Sequence, residues 1–265
     1  MKIGLVYHGV LRWPDGILTQ LEQLSSHDVD LFFCLQEDSN TYDIIKKFDY
    51  KSAKIYQRPS FSWFCQNLDI RGLNKILNTN WLTYSPYLQG SVGRSFSLLN
   101  YHNFNEIAKE FHKKFLDYDL IIVSRSDLRA MFPFDFSCFR EDRLYIADYF
   151  RCFGYQMIGN WFYGSPEIII KSLKSIYNTL FEVDFLTKTL KHPHNAECYC
   201  KAAIDKNEIK VGEFPLNCFI SADSKNVENS GFGQLKYHHK YKFYFKYIGQ
   251  LNGCLSNLII QNINE

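Results

Sequence analysis

The sequence lacks the phosphate cradles of the commonest nucleotide enzymes. No Gly-x-Gly-x-x-Gly follows its first strand-like run, and Gly-x-x-x-x-Gly-Lys-Ser/Thr is absent. That argues against a standard dinucleotide dehydrogenase and a P-loop nucleoside triphosphatase. There is no Gly-x-Ser-x-Gly elbow either, which disfavours a typical α/β-hydrolase. None of the 8 cysteines (Cys34, Cys65, Cys138, Cys152, Cys198, Cys200, Cys218 and Cys254) falls in a Cys-x-x-Cys pair. Cys198 and Cys200 have no zinc-ligand spacing around them, so the cysteines read as reduced, mostly buried thiols of a cytosolic protein. Neither sign of charge dominates: 30 Lys and Arg face 28 Asp and Glu, for a net charge of +2. No global field drives such a chain onto nucleic acid. No apolar run approaches the length of a membrane span. The opening Met1-Lys2-Ile3-Gly4 reads as a strand and not a signal peptide. The expectation is a soluble, cytoplasmic protein.

What is present is aromatic. The 265 residues include 23 Phe, 18 Tyr and 4 Trp, 17% of the chain. Such rings fill cores, and Tyr and Trp also stack on sugars and bases. A chain of this length buries enough surface to fold without metal or disulfide staples. It is expected to form one domain over residues 1–265, with a basic-aromatic segment over 236–265.

Short apolar runs predict buried strands at Ile3–Tyr7, Asp30–Leu35, Ala53–Tyr56, Asp119–Ser124, Leu144–Ala147 and Ile158–Tyr163. Leu18, Leu21 and Leu24 mark a helix face, as do Ile107, Phe111 and Phe115. Further helices are expected over Tyr42–Phe48 and Asn195–Asp205. Ser165-Pro166-Glu167 reads as a helix start, with Ser as cap, Pro in the first turn and Glu at the positive end of the dipole. Ile169, Leu173, Ile176, Tyr177 and Leu180 continue that helix. The alternation of strands and helices predicts an α/β fold with a mostly parallel central sheet flanked by helices. From Lys236 to Tyr247 basic and aromatic residues alternate with a period of two. That predicts a strand, which either packs its aromatic face inward or docks on an anionic lipid surface or charged acceptor.

In open α/β sheets ligands bind beyond the carboxyl ends of the strands. The three best-defined strands end in polar clusters: Gly9 and Arg12, then Glu37 and Asp38, then Arg125, Asp127 and Arg129. Arginine forks match phosphate oxygens. A carboxylate beside a diphosphate can hold Mg²⁺ or Mn²⁺. His8, directly after a buried strand, reads as a hydrogen-bonded structural histidine.

These residues resemble small bacterial and viral sugar transferases. The resemblance rests on Lys2-Ile3-Gly4-Leu5-Val6-Tyr7-His8-Gly9-Val10-Leu11-Arg12, with its strand leading into Gly-x-x-Arg, and on Asp28-Val29-Asp30-Leu31-Phe32. It continues in Tyr118 to Leu128 with an Arg-x-Asp motif, in Trp161-Phe162-Tyr163-Gly164-Ser165-Pro166-Glu167, and in Ala196-Glu197-Cys198-Tyr199. The nearest named relatives it suggests are WavE-type lipopolysaccharide-synthesis glycosyltransferases, matched in order over roughly the first three quarters of the chain. The resemblance implies a GT-A-like fold, a nucleotide-sugar donor and often a divalent metal, Mn or Mg. Arg125 and Asp127 would stand where an Asp-x-Asp element meets metal and diphosphate, with Asp127 as the metal ligand. Gly9 and Arg12 would line the donor pocket. Two positions depart from the pattern: Arg125 replaces the first Asp of the motif, so Arg125 or Arg12 could neutralise the diphosphate instead, and Asn160 stands where relatives often carry Asp.

The function expected is glycosyl transfer from a nucleotide sugar to a glycan or lipid-linked glycan acceptor, in surface polysaccharide or glycoconjugate synthesis. Glu37 would join Gly9, Arg12, Arg125 and Trp161 around the donor, and Trp13, Trp161 and Tyr163 would stack on base or sugar. The general base would be Asp148, Glu197 or Glu37. The alternatives are a non-catalytic nucleotide- or glycan-binding protein and a sugar-phosphate nucleotidyltransferase. No nucleic-acid partner is expected; a peripheral membrane contact would run through Lys236 to Tyr247.

Overall fold

The computed structural model describes residues 1–11, 14–68, 96–148, 161–189, 196–215, 218–222, 236–240 and 242–245. The apolar runs become strands of a seven-stranded sheet. Its strands are β1 (Lys2–Gly9), β2 (Asp28–Gln36), β3 (Ser52–Tyr56), β4 (Leu120–Ser124), β6 (Arg143–Asp148), β7 (Phe162–Gly164) and β8 (Lys210–Pro215), in the spatial order β3-β2-β1-β4-β7-β6-β8. β1 pairs in parallel with β2 on one side and β4 on the other, and β2 with β3. β7 is antiparallel to β4 and β6, and β6 is parallel to β8. Every strand except β7 therefore points its carboxyl end at the same edge. The chain steps outward from β1 to β2 and β3, then returns to β4 on the other flank of β1. This reversal of strand order makes a switch point beyond β1 and β4, the place where open α/β sheets take their ligands.

Period-two alternation sends side chains of one strand to opposite faces, and each face has its own core. Val6, Phe32, Cys34, Ile121 and Val123 cluster with residues of the Phe96–Phe111, Pro166–Asn178 and Ala196–Lys206 helices, including Phe104, Phe111, Ile169, Leu173 and Tyr199. Leu5, Tyr7, Phe33, Leu35 and Ile122 cluster instead with Ile17, Leu24 and Ile45 and with an aromatic group of Phe134, Phe136, Trp161, Tyr163 and Phe214. Full burial of one such side chain stabilises the fold by about 1.5–3 kcal/mol.

A smaller antiparallel sheet, in the order β10-β11-β9-β5, is built from β5 (Leu128–Ala130), β9 (Cys218–Ala222), β10 (Lys236–His238) and β11 (Phe243–Phe245). It corrects the expectation of one strand over the basic-aromatic segment. Lys236 pairs with Phe245 and His238 with Phe243, so the segment doubles back as a hairpin. Lys242, at φ 58°, supplies the left-handed residue of its turn.

The first helix is also turned relative to the sequence reading. It spans Asp15–Gln23 and buries Gly16, Ile17 and Gln20, with Leu24 completing the face, while Leu18 is 55% exposed. Ser165 precedes the Pro166–Asn178 helix with Pro at its start, yet its hydroxyl makes no cap; it donates instead to the Glu141 carbonyl at 2.8 Å. Among the described residues no helix is long and apolar enough to cross a membrane. Among the described cysteines Cys34, Cys65, Cys138 and Cys218 are free thiols.

Candidate functional site

β1 and β4 end side by side. Their last register pair is Tyr7 with Ser124; Arg125 then leaves the sheet, while His8 and Gly9 stay paired with Cys34 and Leu35 of β2. Gly9 adopts φ +84°, a left-handed conformation that favours glycine. A Cβ there would lie 3.3 Å from Asn103 Nδ2, so the bare backbone lets the Phe96–Phe111 helix approach the end of β1.

The β4–β5 loop is held rigidly from behind. Gln20, fully buried, donates through Nε2 to the carbonyls of Leu128 at 2.7 Å and Arg125 at 3.3 Å, and accepts from Ser124 Oγ at 2.8 Å. Thr19 Oγ1 accepts from the Ala130 amide at 3.1 Å. Gly16 lets the helix come this close: a Cβ on it would stand 2.2 Å from the Ser126 carbonyl oxygen and 2.6 Å from that of Leu128. A neutral amide that satisfies three loop groups at once fixes where residues 125 to 127 sit.

Within that loop Arg125 and Asp127 pair with each other. Arg125 Nε donates to Asp127 Oδ1 at 2.8 Å, and Nη2 lies 2.5 Å from Oδ2. The Asp127 side chain is 3% exposed and that of Arg125 25%. Such a fork is the strongest geometry of the pair. A metal-binding role for Asp127 meets a direct test here. Divalent cations of the Mg²⁺ and Mn²⁺ type need carboxylate oxygens turned to the ion, and both oxygens of Asp127 already accept guanidinium hydrogens. As it stands, the pair does not fit a resident cation.

On the face of the Phe96–Phe111 helix a buried polar row continues from this loop. His8 is 3% exposed, packs edge-on against Phe104 with ring centroids 5.2 Å apart, and has no hydrogen-bond partner on either ring nitrogen. Burial lowers its pKa to about 3; the Arg125 charge pushes the same way and the Asp127 charge opposes it. His8 is thus neutral, with two polar atoms enclosed and unanswered. Gln36, the last residue of β2, donates to Asn103 Oδ1 at 3.2 Å and leaves its own Oε1 without a partner. Tyr56, the last residue of β3, also donates to Asn103 Oδ1, and burial holds its phenol pKa well above the ordinary range. Buried polar atoms without partners are few in native proteins and call for an explanation.

The remaining sequence candidates fall differently. Glu37 is exposed just past β2 and accepts from the Gln57 amide. Asp148 is the final residue of β6 and lies in register with Pro215, so its backbone stands at the same edge as Gly9 and Ser124. Glu197 lies in the first turn of the Ala196–Lys206 helix. Arg12 and Trp13 lie outside the described residues, as does Asn160. Trp161 is 1% exposed and stacks on Phe134 at 4.2 Å and 11°. Tyr163 stacks on Tyr145 at 4.8 Å and 3°. Both aromatics are therefore packed into the core, with their rings engaged by protein.

The topology thus gathers Gly9, Arg125 and Asp127 at the ends of β1 and β4, with His8, Gln36, Tyr56 and Asn103 on the side of the Phe96–Phe111 helix and Gln20 behind the β4–β5 loop. His8, Gln36 and Tyr56 each stand last or next-to-last in their strands, a position that does not by itself single them out in the sequence. What the fold defines is an α/β protein with a mostly parallel sheet and, at its switch point, a polar cluster with an Arg125–Asp127 ion pair. No protein-family model matches the chain, and comparison with curated proteins finds no match.

Proposed function

We propose that the protein is a GT-A-like glycosyltransferase that moves a sugar from a nucleotide-sugar donor to a hydroxyl of a glycan acceptor. The observation that carries this reading is the switch point of the sheet beyond β1 and β4. There a left-handed glycine, a guanidinium and a row of enclosed, unpartnered polar atoms meet at the place where α/β sheets bind nucleotides. A mostly parallel sheet with a single reversed strand is compatible with the GT-A-like fold that the sequence resemblance implies.

In this reading the anomeric carbon–oxygen bond to the diphosphate breaks, and the acceptor oxygen bonds to that carbon. The departing diphosphate gains negative charge, which Arg125 and Arg12 neutralise. His8, Gln36 and Tyr56 give the nucleoside neutral donors and acceptors. The acceptor proton goes to a carboxylate, with Asp148 and Glu197 the candidates. The basic-aromatic hairpin is the surface on which a lipid-linked acceptor or anionic membrane would rest. Its Lys240 and Lys242 are exposed, as are Tyr237 and His239.

A screen of nucleotide sugars by thermal shift, followed by product analysis, tests the proposal. A melting shift with one nucleotide family and release of nucleoside diphosphate are expected. If none of the sugars raises the melting temperature and none is consumed, the reading fails. The closed Arg125–Asp127 pair favours one rival, a nucleotide-binding protein without turnover, which would show the shift and no product.

A further inference from the structure

We draw no further inference here: the strongest candidate, the buried polar cluster of His8, Gln36 and His102 between the ends of β1 and β2 and the Phe96–Phe111 helix, carries nothing because its unanswered atoms are enclosed in packed protein and nothing among the described residues shows what ligand would reach them.

Discussion

The side-chain amide of Gln20, on the first helix, spans to the carbonyl of Leu128, 108 residues later, at 2.7 Å with both groups buried. The same amide accepts from Ser124 Oγ at 2.8 Å. Gln20→Leu keeps the volume close and removes every one of these bonds. It takes the buried donor from the Leu128 carbonyl and leaves Ser124 Oγ only its 3.3 Å bond to the Arg125 carbonyl, at about 1–3 kcal/mol for a fully desolvated group. Urea unfolding should show a loss of about 3 kcal/mol, together with weaker nucleotide binding if the loop carries the site. A loss below about 0.5 kcal/mol, the range of ordinary surface substitutions, would refute the clamp.

Gly16→Ala tests the same contact from the backbone. Within a helix, alanine normally exceeds glycine in stability by up to about 1 kcal/mol. Here the new methyl would meet two carbonyl oxygens of the β4–β5 loop at 2.2 and 2.6 Å. Neither is the tip of a flexible side chain, so the helix or the loop must shift. The sign therefore inverts, and a loss of about 1–3 kcal/mol is expected from overpacking, read as a lowered melting temperature.

The strands were legible in the sequence because each is a short apolar run that a buried sheet needs. Ile3–Tyr7, Asp30–Leu35 and Asp119–Ser124 became β1, β2 and β4 with ends moved by a residue or two. The direction of β7 was not legible, since a run such as Phe162–Gly164 pairs equally well either way. The hairpin was hidden for a related reason. Its turn, His239 to Lys242, contains no glycine, proline or asparagine, and the basic-aromatic alternation runs through it unbroken. Leu18 misled because a count of every third residue drifts off a helix of 3.6 residues per turn; Ile17, Gln20 and Leu24 keep the true stripe. Of the site, Gly9, Arg125 and Asp127 could be found as polar residues at strand ends. Gln36, Tyr56 and Asn103 could not, because only the pairing of β1, β2 and β3 and the angle of a distant helix bring them together.

His8 predicts an acid sensitivity. Its folded pKa of about 3 lies below the ordinary 6.5, so the unfolded chain takes up the proton first. The stability from keeping His8 neutral is complete above 6.5. It is lost as pH falls from 6.5 toward 3, at up to about 1.4 kcal/mol per pH unit. His102, whose pKa is also lowered chiefly by burial, acts in the same direction. Denaturant midpoints measured between pH 7 and 4.5 should decline, and His8→Phe should flatten that decline. An unchanged slope in His8→Phe would mean that the imidazole is protonated as easily in the fold as outside it.

Lys240 and Lys242 lie exposed at the tip of the hairpin. Lys240→Glu/Lys242→Glu should leave the melting temperature nearly unchanged, since surface substitutions stay within about 0.5 kcal/mol. Sedimentation with phosphatidylserine vesicles at low salt should fall sharply, because each lysine near an anionic surface contributes about 1 kcal/mol. Equal sedimentation of parent and variant would remove the hairpin from any role at a membrane.

β9 has a consequence of its own. On one side it bonds to β5, which begins at the residue after Asp127; on the other it bonds to the hairpin. Anything that grips the hairpin is therefore tethered, two strands away, to the loop that presents Arg125. A substitution that breaks the pairing of β9 is therefore expected to disturb the hairpin and this loop together.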